Sequence, residues 1–153
     1  MKHAIYFAML VAICTMFGCG GKNIKKTDYV EGTITYKGVP VEGASIGFSP
    51  MSSAEGASPA YGRTDTQGKY VIQTQGGASG KGTTPGEYRI IISKTNSIPT
   101  GKKTTYPDGS VYEEMKHEDV LPKMYGNVST TPLTATVVSG GPNKFDFDLV
   151  DKP

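Results

Sequence analysis

The residues with the widest chemical repertoire in this chain lie close together. Glu113-Glu114-Met115-Lys116-His117-Glu118-Asp119 gathers four carboxylates and one imidazole, the donor types that hold a divalent cation or move a proton. The same composition describes a solvated acidic loop, and the spacing alone does not put the donors on one face. A two-histidine zinc site is excluded, because the other histidine, His3, belongs to an apolar leader. A His-x-x-Glu pair also fails, since Val120 stands three residues after His117. No Gly-x-Ser-x-Gly is present, and Ser139-Gly140-Gly141 falls at the end of an apolar run with no base beside it. The glycine-rich Gly76–Thr83 stretch misses the phosphate-loop pattern at Gln75 and Gly82. The chain is therefore expected to have no catalytic residues, no metal and no cofactor.

Cys19 is the remaining reactive side chain. It follows Met1-Lys2-His3, an apolar run over 4–17, and Gly18. That run is shorter than the ~20 residues of a bilayer span and reads as a secretory signal helix over residues 1–18. Gly18-Cys19 resembles the bacterial lipobox, usually Leu-Ala-Gly-Cys, with Met16 and Phe17 in place of the usual Leu and Ala. The resemblance implies a diacylglycerol thioether on Cys19, cleavage before it and acylation of the new amino group. The mature chain would then be lipid-anchored in the cell envelope, facing the periplasm or the cell surface. Gly20 replaces the Asp that retains some such lipoproteins at the inner membrane, which implies the outer membrane. Cys14 leaves with the leader and Cys19 carries lipid, so no disulfide is expected. Residues 19–27 read as a polar tether.

With 153 residues and a formal charge of +2, the rest suffices for one domain, over 28–153. Lys and Asp/Glu are interspersed, so no block is basic enough to follow a phosphate backbone, and nucleic acid is not an expected partner.

The domain alternates in the manner of strands. Val30, Ile34 and Tyr36 fall on one face, and Glu31, Thr33 and Thr35 on the other, before a Lys37-Gly38 turn. Ala44, Ile46 and Phe48 repeat the pattern, followed by 60–64, an Asp65–Gly68 turn and its expected partner strand 69–74. The segment 87–94 reads as a central strand, and 133–138 and 144–149 close the series, with Phe145, Phe147 and Leu149 inward. Seven short strands and no helical period indicate an antiparallel β-sandwich.

The blocks "VEGTITYKGVPVEGASIGFSP", "GRTDTQGKYVIQT" and "TPGEYRIIISK", in this order over 29–94, resemble the transthyretin-like, carboxypeptidase regulatory-like domain. "LPKMYGNVSTTPLTATVVSGGPNKFDFDL" resembles the C-terminal half of bacterial lipoproteins built on that domain, with Met124 where they usually carry Lys. The resemblance implies a seven-stranded, prealbumin-like and Ig-like sandwich. It also implies a module that accompanies catalysis without performing it. Transthyretin-like hydroxyisourate hydrolases end in Tyr-Arg-Gly-Ser, whereas this chain ends Val150-Asp151-Lys152-Pro153.

Residues 95–120 exceed what such a sandwich needs. Pro99, Gly101, Pro107 and Gly109 break the segment, and Tyr106, Tyr112 and His117 are its candidate binding residues. "TTYPDGSVYEE" fits a small hairpin. A protruding hairpin would meet an envelope protein or polysaccharide. Alternatively, its tyrosines would cover one sandwich edge. The readings that follow are a binding, adhesion or scaffolding module, and second, an accessory to an envelope enzyme or a weak hydrolase using His117.

Overall fold

A computed structural model describes residues 26–52, 57–74 and 81–151; the leader and Cys19 lie outside them. Strand β1 (Val30–Tyr36) runs through the middle of the first sheet. On one side it pairs antiparallel with β2 (Val39–Pro40) and β5 (Lys69–Val71); on the other it pairs with β11 (Asn143–Lys144) and β12 (Phe147–Leu149). The second sheet has the order β10-β7-β3-β4-β6, entirely antiparallel, from β3 (Ser45–Pro50), β4 (Ala60–Arg63), β6 (Gln73–Thr74), β7 (Gly86–Ser93) and β10 (Thr134–Val137). The fold is all-β. The two sheets share one core, in which Val30, Ile34, Tyr70 and Leu149 of the first meet Ile46, Phe48, Tyr88, Ile90, Ile92 and Val137 of the second.

Period-two alternation explains which residues go inward. Along β7 the burial alternates, so Tyr88, Ile90 and Ile92 are fully covered while Glu87 and Ser93 stay in solvent. Phe147 and Leu149 point inward with Phe145 half-buried behind them, as their spacing predicts. Phe48 packs edge-on against Tyr88, ring centroids 5.7 Å apart. The buried Tyr88 hydroxyl donates to the Thr84 carbonyl at 2.6 Å, so the ring enters the core without an unpaired polar end.

Three features depart from the sequence expectation. First, β1 pairs in parallel with β11 and β12, so the antiparallel pattern is not complete. Second, 69–74 is not a single partner for 60–64. Its first half, β5, joins β1 in one sheet, and only β6 pairs with β4 in the other. The strand changes sheets at Ile72, whose side chain is fully buried between them. Gly32 permits this crossing. The Tyr70 hydroxyl reaches over β1 to donate to the Phe145 carbonyl at 2.7 Å, and a Cβ on Gly32 would overlap that same carbonyl.

Third, 95–120 is not a loop with a small hairpin at its tip. Almost all of it is a two-stranded ribbon of β8 (Thr95–Thr105) and β9 (Val111–Asp119). Pro99 and Gly101 fail to interrupt the ribbon because Pro99, which has no N–H to give, is the last residue in register before a break, opposite Met115, and Gly101 falls within that break, between Pro99 and Lys103. A 3-10 turn, Lys123–Gly126, follows and buries Tyr125, whose hydroxyl donates to the Val150 carbonyl at 3.1 Å.

Candidate functional site: a solvent-exposed ribbon and a groove at the sheet crossing

The ribbon grows from the end of β7 and returns beside its own start: the Val120 N–H donates to the Lys94 carbonyl at 2.9 Å. Its tip is a tight turn. The Tyr106 N–H donates to the Ser110 carbonyl at 2.9 Å. Asp108 accepts from the Ser110 N–H at 2.9 Å and from its hydroxyl at 2.7 Å, and these bonds, the hydroxyl's first, hold the Asp108 carboxyl below its usual range. Gly109 takes the positive φ of 83° that the turn needs. Every residue of β8 is exposed, and on β9 only Glu113 and Met115 are half-covered.

Tyr106 is 50% and Tyr112 55% exposed, so these rings do not cover a sheet edge. They do not converge with His117 either. Along β9, Tyr112, Glu114, Lys116 and Glu118 share one face, while Val111, Glu113, Met115, His117 and Asp119 share the other. The carboxylates adjacent in sequence are thereby divided between two faces, and among the described residues no three His, Cys, Asp or Glu side chains come together as a metal-holding group. His117 sits opposite Ser97, with Ser97 Oγ 2.9 Å from Nδ1. Asp119, on the same face, accepts instead from the Thr95 hydroxyl at 3.4 Å. The Ser-His pair is open to water, and no carboxylate among the described residues orients its ring in the manner of a triad. Lys102 pairs with Glu114 at 3.5 Å and Lys116 with Glu118 at 2.7 Å, both at the surface.

A second feature was not anticipated from the sequence. An open groove of about 890 Å3 lies where β5 leaves β4 for β1, lined by Glu31, Tyr61, Arg63, Asp65, Lys69, Tyr70, Gln73 and Lys144 among others. Tyr61 presents its ring with 63% exposure, and the lining holds both cations, Arg63, Lys69 and Lys144, and carboxylates, Glu31 and Asp65. Tyr70 forms the floor. Burial pushes its hydroxyl far above the ordinary phenol range and the Asp146 charge adds to this, so it serves here as a neutral hydrogen-bond donor. These residues come from four separated stretches, 31–33, 61–65, 69–73 and Lys144. The one local signal for the groove is the pair Gly32 and Gly62, where a Cβ would run into the backbone carbonyls of Phe145 and Val71.

The other sequence candidates resolve simply. Gly140, after Ser139, donates its N–H to the buried Asp28 carboxylate at 2.7 Å and so ties the β10–β11 turn to the segment that enters β1. In the described part of the glycine-rich stretch, 81–83, Thr83 is bridged to Asp28 by two backbone hydrogen bonds. Cys19, the proposed site of lipid attachment, lies outside the described residues. No helix among the described residues is long and apolar enough to cross a membrane. No protein-family model, curated protein or solved structure matches the chain.

Proposed function

We propose that this is a non-catalytic envelope lipoprotein, anchored through Cys19, whose β-sandwich displays the ribbon β8–β9 as a binding arm for an envelope protein or polysaccharide. The observation that carries the reading is the ribbon itself: a long, ordered element of strand that gives nothing to the core and holds Tyr106 and Tyr112 in solvent. Exposed aromatics beside paired charges are the composition of recognition surfaces. The anchor reading rests on Gly18-Cys19 after the apolar run. Acyl chains contribute about 0.8 kcal/mol per buried CH2, so two or three hold a protein on a membrane stably. We read the two sheets as a seven-stranded, prealbumin-like sandwich in which β2, β6 and β11 are short extensions. The outer membrane is the favoured location.

A second reading is favoured by the groove, whose ring of hydrogen-bonding groups around the exposed Tyr61 face has the composition of a saccharide or peptide site. In that reading the module presents substrate to an envelope enzyme. Hydrolysis through His117 has less support, because its partner Ser97 is open to water.

One experiment tests both parts. Crosslinked envelopes from cells carrying the full chain, a Cys19→Ala variant and a chain lacking 95–120 are fractionated and probed for attached partners. The expected result is membrane association lost with Cys19→Ala and partner capture lost with the ribbon. Membrane association unchanged by Cys19→Ala refutes the anchor. Capture that survives ribbon deletion moves the site to the groove.

A further inference from the structure

The outer edges of the ribbon are unlike. β8 carries Pro99, which offers no N–H to another strand, then a register break, then Lys102 and Lys103. These are the devices that close a sheet edge to further pairing. β9 has neither the proline nor the register break: Val111–Asp119 runs without proline, glycine or bulge, its single lysine, Lys116, stands between Glu114 and Glu118 on the same face, and its outer edge faces solvent. A two-stranded ribbon without a core is also marginal by itself, and further strands are what stabilise such an element.

We propose that β9 pairs antiparallel with β9 of a second copy of this chain, with the two-fold axis at Met115, to make a four-stranded ribbon. The sequence of the strand is complementary to itself in this register. Glu114 of each copy opposes Lys116 of the other, Glu113 opposes His117, and Met115 meets its counterpart. Moving the axis by one residue in either direction sets Lys116 against Lys116 or Glu114 against Glu114, and like charges directly opposite destabilise a ladder. The interface is isologous and closes at two copies, because the outer strands of the assembly are then the two blocked β8 edges. Antiparallel pairing also carries the turn of one copy past Asp119 of the other. There the half-exposed Tyr106 comes alongside a hollow of about 300 Å3 lined in part by Leu121, Pro122 and Asn127. The inference rests on the reading of the ribbon as a docking arm and names its partner as another copy.

The test uses the full chain in detergent, carrying two different tags, with dimerisation followed by sedimentation equilibrium and by co-purification of the tags. Glu114→Lys alone and Lys116→Glu alone should each weaken dimerisation by about tenfold or more, since each places like charges opposite one another twice. Mixing the two variants restores opposite charges at both positions and should restore the dimer as a heterodimer. As a geometric check, Met115→Cys should form an intermolecular disulfide on mild oxidation, because opposed Cα atoms lie about 4.5–5.5 Å apart across an antiparallel pair; Ile98→Cys on the blocked strand should not. A monomeric wild-type chain, or a dimer indifferent to both reversals, overturns the proposal. If such a monomer still captures an envelope partner through the ribbon, the arm reading stands and only self-pairing falls.

Discussion

The two-sheet body and the ribbon are made of strands of comparable length, 8 residues in β7 and 9 in β9, yet they are stabilised in different ways. In the body each strand gives its alternate residues to a common core, and fully burying one such aliphatic side chain contributes about 1.5–3 kcal/mol. The ribbon contributes none of the buried hydrophobic residues. It is held by its ladder, its Asp108 turn and surface ion pairs, each of which contributes little in water. Alternation along β9 therefore separates two solvated faces. A strand freed from the core can choose its side chains for a partner.

The largest effect that would break this comparison is a core truncation. Ile90→Ala, at a fully buried site, should cost about 2–5 kcal/mol in denaturant unfolding, whereas Ile98→Ala on the ribbon, 45% exposed, should stay within about 0.5 kcal/mol. Equal losses would mean that the ribbon packs on the body. A middle-sized effect belongs to Gly32→Ala. The added methyl overlaps the Phe145 carbonyl and crowds the Tyr70 hydroxyl, so melting should report a loss of about 1–3 kcal/mol, with the groove altered and the ribbon untouched.

The smallest effect is acidic. A hydrogen bond from Lys37 holds the Asp151 carboxyl below the usual range, and one from the Thr35 hydroxyl does the same for Asp148. A carboxyl whose pKa falls on folding stabilises the native state above its unfolded value, and that contribution is lost as pH drops through the folded value. Melting temperature should therefore decline below about pH 4, and Asp148→Asn should shallow that decline. An acid limb that Asp148→Asn leaves unchanged would show that this edge of the body titrates independently of the fold.

Local chemistry made much of the body legible. Lys37-Gly38, both with positive φ (53° and 76°), form the hairpin turn between β1 and β2, and Asp65 accepts from the Gln67 and Lys69 N–H groups in the turn expected there. The spacing of Phe145, Phe147 and Leu149 oriented the last strand correctly. The sheet to which a strand belongs was not legible. Tyr70 and Ile72 alternate inward whichever neighbour they pair with, and the crossing depends on Gly32 and Phe145, which are distant in sequence. The extent of the ribbon is not legible for a related reason: breakers such as Pro99 and Gly101 look the same in a loop and at a register break. The groove was missed because no single segment contains it.

The parallel pairing of β1 with β12 has a mechanical consequence. The chain enters the domain at the start of β1 and leaves it at the end of β12, so tension between its two ends pulls these neighbours past one another lengthwise. Loaded in that direction, the rungs from Ile34–Phe147 to Tyr36–Leu149 bear the force together, where an unzipping load would break them one at a time. Tension between the two ends of the body is thus resisted by the β1–β12 ladder as a whole.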